Sequence, residues 1–123
     1  MGPFPHDAPY AVISADNPAG TDGFEFVEFA HPEPQMLRDL FTMMGYMHVA
    51  THRSKQVEVW QQGDITYLIN AEPHSHAAAF ADVHGPCAAS MGWRVVNAQH
   101  AFDHAVSKSA TPYEGAGKVM DVP

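Results

Sequence analysis

The sequence predicts an α+β fold: a βαβββ module, then a short helix, then a strand and helix that open a second, incomplete module. Three observations predict it. Aromatic and acidic residues alternate through Gly23-Phe24-Glu25-Phe26-Val27-Glu28-Phe29-Ala30, the period of a strand with one buried face. Met36, Leu37, Leu40, Phe41 and Met44 recur at spacings of three and four, the apolar stripe of a helix. The pair formed by Ser90–Val96 and the helix after it repeats the grammar of the first strand and helix, a weak internal repeat.

The elements follow in order. Residues 1–22 carry Pro3, Pro5, Pro9, Pro18, Gly2 and Gly20, and prolines fix φ and remove backbone donors, so an extended or poorly ordered arm is expected. The domain proper is then 23–123, with module one at 23–73 and a partial module two at 88–123. Strand one covers Gly23–Ala30, and its imperfect phase predicts a bend near Val27. Glu33 and Pro34 suit a helix's first turn, where a missing N–H is tolerated and an acid meets the positive dipole end. That helix runs to about Met44, and Gly45 ends it in a left-handed residue. Met47–Thr51, Val57–Gln61 and Ile65–Asn70 read as strands, the last two joined by a hairpin at Gln62-Gly63-Asp64. Ser75 caps a short helix to His84, which Gly85-Pro86 ends. Ala88–Val95 is a strand, and Asn97 caps a helix from Ala98 to Lys108 whose apolar stripe is Ala101, Phe102, Ala105 and Val106. A further short strand is expected around Lys118 to Val122. A complete second module would need more strands, so the natural chain is expected to continue past Pro123.

A chain of 123 residues with a 46% hydrophobic fraction suits one domain with a real core. A formal charge of −8 repels phosphate backbones and anionic lipids, which argues against nucleic-acid and membrane-surface partners. The single cysteine, Cys87, cannot form an internal disulfide. No apolar run approaches the roughly 20 residues needed to cross a bilayer, and the N-terminus lacks a signal-peptide pattern. A soluble, cytoplasmic protein is expected.

The histidines, nine in number, invite a metal reading. His100 and His104 lie four apart on one predicted helix face, a spacing that can bind Zn²⁺. His74 and His76 flank Ser75 near a helix start. His48 and His52 share a strand face but at roughly 13 Å, too far for one ion. The residue after His100 is alanine, so the general base of a metalloprotease helix is missing, and these side chains read as surface and cap histidines. Cys87 follows His84 without an evident base or oxyanion hole and reads as a small buried hydrophobe. Gly115-Ala116-Gly117-Lys118 is too short for a phosphate loop. Arg53 and Lys55 read as a solvated loop, with an anion or subunit contact as the alternative. Met43, Met44 and Met47 could form an exposed apolar patch that meets another domain or subunit.

Four stretches carry a resemblance: Gly23 to Ala30; Met44-Gly45-Tyr46 leading to Val49-Ala50-Thr51-His52-Arg53-Ser54-Lys55; Gln61-Gln62-Gly63-Asp64-Ile65 with Asn70-Ala71-Glu72-Pro73; and His84-Gly85-Pro86 followed by Met91-Gly92-Trp93-Arg94-Val95. Together they resemble the N-terminal domain of bacterial 4-hydroxyphenylpyruvate dioxygenases, over roughly Gly23 to Gly115. The resemblance implies the vicinal-oxygen-chelate (glyoxalase/dioxygenase) fold. It implies a parent enzyme that uses Fe(II) and O₂ to convert 4-hydroxyphenylpyruvate to homogentisate in tyrosine catabolism. In that family a two-His-one-carboxylate triad holds the iron, and it lies in a C-terminal catalytic domain that this sequence does not contain. At the positions matching a ligand in metal-binding relatives stand Phe26 and Ser90. The expectation is therefore a structural domain with no catalytic, cofactor-binding or metal-ligating residues of its own, inactive alone. Its expected partners are the C-terminal domain and, in a homo-oligomer, other copies. Its sheet cavity would be filled by Phe24, Phe26, Trp60, Tyr67 and Trp93. The alternative is a metal-free small-molecule binding module of the same fold. A metal-dependent lyase or ring-cleaving dioxygenase of the wider fold is disfavoured by Phe26 and Ser90.

Overall fold

A computed structural model of the protein describes residues 9–114. The elements are β1 (Thr21–Ala30), α1 (Pro34–Met43), β2 (Met47–Thr51), β3 (Val57–Gln62), β4 (Ile65–Asn70), α2 (His76–His84), β5 (Cys87–Val95) and α3 (Ala98–Ser107). All five strands join one sheet in the order β2-β3-β4-β1-β5. β1 lies parallel to β4 and antiparallel to β5, while the β2–β3–β4 segment is an antiparallel meander. The βαβββ module is thus closed by its first strand pairing with its last. The opening strand of the second strand–helix pair, β5, is then added antiparallel to β1.

The register decides which side chains meet α1. Val27 sits opposite Tyr67 and Phe29 opposite Ile69, while Glu58 faces Ile69 and Trp60 faces Tyr67. These positions share one face. Against that face α1 lays Leu37 and Phe41, its two buried residues, and with Tyr46, Trp60 and Ile69 they form the main core. The Phe41 ring lies 5.2–6.0 Å from the rings of Tyr67, Phe29, Tyr46 and Trp60. Glu58 is buried on the same face, held by Arg38 of α1 at 2.8 Å. The other face carries Phe26, Glu28 and Ala30 of β1. There Ala30 packs with Ala77 and Ala81 of α2, with Cys87 and Ala89 alongside; small side chains let helix and sheet approach closely.

The local signals act where expected. Gly45 and Gly85 hold positive φ after α1 and α2. The Ser75 side chain accepts the Ala78 N–H at 3.1 Å, and that of Asn97 accepts the His100 N–H at 2.9 Å. Gly63, at φ 56°, turns the β3–β4 hairpin.

Four expectations change. Only part of the α1 stripe is buried: Met36, Leu40 and Met44 are about half exposed, because one helix on a sheet buries a narrower stripe than the hydrophobic pattern offers. The one bend expected near Val27 becomes three irregularities, between Thr21 and Phe24, between Phe24 and Phe26 and between Glu28 and Phe29, the last two flanking Val27. The five aromatics expected to fill one cavity are split by the register. Trp60 and Tyr67 face α1, Phe26 faces away, and Phe24 and Trp93 pack against each other at 4.6 Å while more than half exposed. Finally, α3 has no buried residue, so its predicted stripe stays open, with Phe102 51% exposed. At the N-terminal side, β1 begins at Thr21, and residues before it are tied in: Ser14 and Asn17 bond each other, and Gly20 C=O accepts the Val96 N–H at 2.9 Å. The strand expected around Lys118 to Val122 lies outside the described residues.

Candidate functional site

The sheet face turned away from α1 carries a hollow of about 360 Å³ lined by Glu28, Asn70, His76, Ala77, Ser90 and Tyr113. Period-two alternation puts the three strand positions, Glu28, Asn70 and Ser90, on this face. Glu28 lies on β1, Asn70 ends β4, and Ser90 of β5 is directly opposite Glu28. The Glu28 carboxylate accepts a hydrogen bond on each oxygen, from Asn70 Nδ2 at 3.2 Å and from Ser90 Oγ at 3.1 Å. Asn70 Oδ1 in turn accepts the Glu72 N–H at 2.9 Å, which fixes which end of the amide meets Glu28. His76, at the first turn of α2, borders the hollow and makes an edge contact with Tyr113, ring centroids 5.7 Å apart.

A second hollow, about 410 Å³, lies towards the start of β1 and includes Phe24, Glu25, Asp64, Tyr67 and Arg94. Arg94 Nε donates to Glu25 at 2.8 Å, and that carboxylate raises the guanidinium pKa further. A closed ion pair of this kind leaves little reactivity.

The residues singled out from sequence are placed as follows. Phe26 stands opposite Gly92, its ring lying over the glycine, and Ser90 stands opposite Glu28. His100 Nε2 is 2.7 Å from the Pro18 carbonyl, which it meets as an N–H donor, so that nitrogen is not free for a metal shared with His104. His48 contacts Thr51 Oγ1 and Ala50 O, and His52 lies past the end of β2, where its Nδ1 accepts the Ser54 and Lys55 N–H groups. His74 holds a positive φ of 62° before the Ser75 cap. Arg53 and Lys55 are exposed between β2 and β3, and Cys87 is half-buried at the start of β5. Met43 is 81% and Met47 71% exposed.

Sequence reasoning missed Glu28 and Asn70. The available signal was that Glu28 is two residues beyond Phe26 and therefore shares its face. This face does not fit a two-His-one-carboxylate triad: β1 and β5 offer Phe26, Glu28, Ser90 and Gly92 there, and the hollow adds a single imidazole, His76, from α2. Among the described residues no group of three or more His, Cys, Asp or Glu side chains could hold a metal ion. Among them, too, no helix is long and apolar enough to cross a membrane.

Comparison with known proteins agrees with the fold. Residues 15–123 match a family model described as hydroxyphenylpyruvate dioxygenase, HPPD, N-terminal. The 4-hydroxyphenylpyruvate dioxygenase of Pseudomonas aeruginosa is 48% identical over 103 residues, 81% of this chain and 29% of that protein. Hemolysin VllY of Vibrio vulnificus is 44% identical over 106 residues, 84% of this chain and 30% of that protein. The chain therefore spans about 30% of the length of these curated relatives. A solved xylose isomerase-like TIM barrel/4-hydroxyphenylpyruvate dioxygenase fusion protein superposes with a TM-score of 0.74 at 31% identity, covering 92% of this chain and 17% of that one. By fold, sequence and extent of match, the chain belongs to the family of hydroxyphenylpyruvate dioxygenase N-terminal domains.

Proposed function

We propose that this chain is the non-catalytic N-terminal domain of a cytoplasmic 4-hydroxyphenylpyruvate dioxygenase. In this reading it packs against a C-terminal catalytic domain and supplies contacts between copies. Fe(II), O₂ and the keto acid are handled by the catalytic domain. The observation that carries the reading is the donor set of the open sheet face: where a metal-binding module of this fold would present imidazoles, this one presents Phe26 and Ser90. The apolar surface left on Met43, Met47 and Phe102 supports a packing role. A 3-dehydroshikimate dehydratase of Pseudomonas putida also matches, at 34% identity over 109 residues. The 48% identity to a dioxygenase favours the dioxygenase parent.

The test has two arms. The chain alone, given Fe(II), O₂ and 4-hydroxyphenylpyruvate, is expected to show no substrate-dependent O₂ uptake; saturable uptake would overturn the reading. In the second arm this chain replaces the aligned N-terminal stretch of the Pseudomonas aeruginosa dioxygenase. That chimera is expected to keep turnover, and a folded chimera without it would count against a dioxygenase parent.

A further inference from the structure

We propose that the hollow around Glu28 binds a small organic ammonium ion. The inference does not rest on the dioxygenase reading. Its basis is a carboxylate held in place and left without a counter-charge among the described residues. Asn70 and Ser90, both neutral, fix the two oxygens of Glu28, and the Glu72 N–H locks the Asn70 amide in turn. No basic side chain among the described residues pairs with Glu28. The two arginines nearest the sheet are committed elsewhere, Arg38 to Glu58 and Arg94 to Glu25, each at 2.8 Å. A carboxylate offers about four lone-pair sites, so acceptor capacity remains on both oxygens.

The walls suit an organic cation better than a bare metal. Tyr113, 76% exposed, and His76 meet edge to face at the rim. Aromatic faces attract ammonium groups, and attract them more strongly once water is displaced. A metal would need several further donors, and no group of three such side chains is present among the described residues. The hollow, about 360 Å³, has the size of a small-ligand site. One feature opposes a cation: α2 directs its N-terminus towards the hollow through His76 and Ala77. That end carries only about half a positive charge, and Ser75 Oγ already accepts one of its N–H groups at 3.1 Å. A full carboxylate outweighs it. Anions are excluded by Glu28 itself and by the net charge of −8.

Benzylammonium is the probe, with benzyl alcohol and benzoate as neutral and anionic controls, titrated into the intact chain and followed by amide NMR shifts. The expected result is saturable one-to-one binding of benzylammonium, with shifts at Glu28, Ser90 and His76. Both controls should bind at least about tenfold more weakly. Glu28→Gln, which keeps the shape and removes the charge, should weaken benzylammonium by about tenfold, and Tyr113→Ala should weaken it too. Benzoate or benzyl alcohol binding as tightly, no saturable binding, or an unchanged affinity in a folded Glu28→Gln variant would each overturn the proposal. If Glu28→Gln fails to fold, Tyr113→Ala decides: its ring lies outside the core, and an unchanged affinity there refutes the site. Displacement of the probe by stoichiometric Mn²⁺ would instead assign the hollow to a metal.

Discussion

Phe41→Ala tests the account of the core most directly. Phe41 is 2% exposed, and four aromatic rings surround it at 5.2–6.0 Å. Removing the ring deletes buried apolar surface and leaves a cavity that stiff neighbours cannot fill, a loss of about 3–5 kcal/mol. A domain of this size has a total stability of about 6–18 kcal/mol, so the variant gives up a large share. Leu40 is the neighbouring residue on the same helix and equally apolar, yet it is 46% exposed. Leu40→Ala should cost about 1 kcal/mol or less. Urea unfolding followed by tryptophan fluorescence measures both, since Trp60 lies 6.0 Å from Phe41 and its signal reports the core. A Phe41→Ala cost below about 1 kcal/mol, or a Leu40→Ala cost as large as that of Phe41→Ala, would refute the assignment of faces on α1.

Two further predictions follow from local geometry. A Cβ placed on Gly92 would lie 2.5 Å from Phe26 Cε1 and 2.8 Å from Cδ1, so Gly92→Ala must displace the ring and should cost about 1–3 kcal/mol in chemical denaturation. In the Phe26→Ala background the same substitution should be close to neutral, and strict additivity of the two would show that the ring does not lie over Gly92. Burial, and then the hydrogen bond and charge of Tyr67, push Tyr46 up to about 12 from the usual 10.0. The folded state thus holds this proton more tightly than the unfolded chain. The stabilisation is complete below pH 10 and is lost as pH rises towards 12. Ultraviolet titration of tyrosinate should show a late phase towards pH 12 that Tyr46→Phe removes, and the absence of such a phase in the folded protein would contradict the burial of Tyr46 against Tyr67.

Much of the chain order was legible, because each element carries a local marker. Ser75 and Asn97 cap, Gly45 and Gly85 terminate, and Gly63 turns, and these depend on a few neighbouring residues only. The faces were less legible. Trp60 and Phe26 look alike as aromatic strand residues, and only the register of β4 against both β3 and β1 sends them to opposite sides. The Glu28 hollow was invisible for the same reason. Its polar atoms come from three strands, with sequence separations of 42 to Asn70 and 62 to Ser90, and no short motif spans such distances. The resemblance points to Phe26 and Ser90, but what stands beside them depends on strand pairing. The depth of burial on α1 and α3 depended on what covers each helix, which periodicity does not encode.

The place of β1 in the sheet sets an order of assembly that differs from the order of synthesis. Both strands that bond to it are made later, β4 after a helix and two strands have intervened, β5 after a further helix. The β2–β3–β4 meander closes short loops and can zip up unaided, whereas seating β1 means closing two long loops at an entropic cost. During translation the aromatic-rich segment Phe24–Phe29 therefore emerges before either partner strand, with its edges bare. It stays a sticky ribbon until the rest of its own sheet exists to receive it.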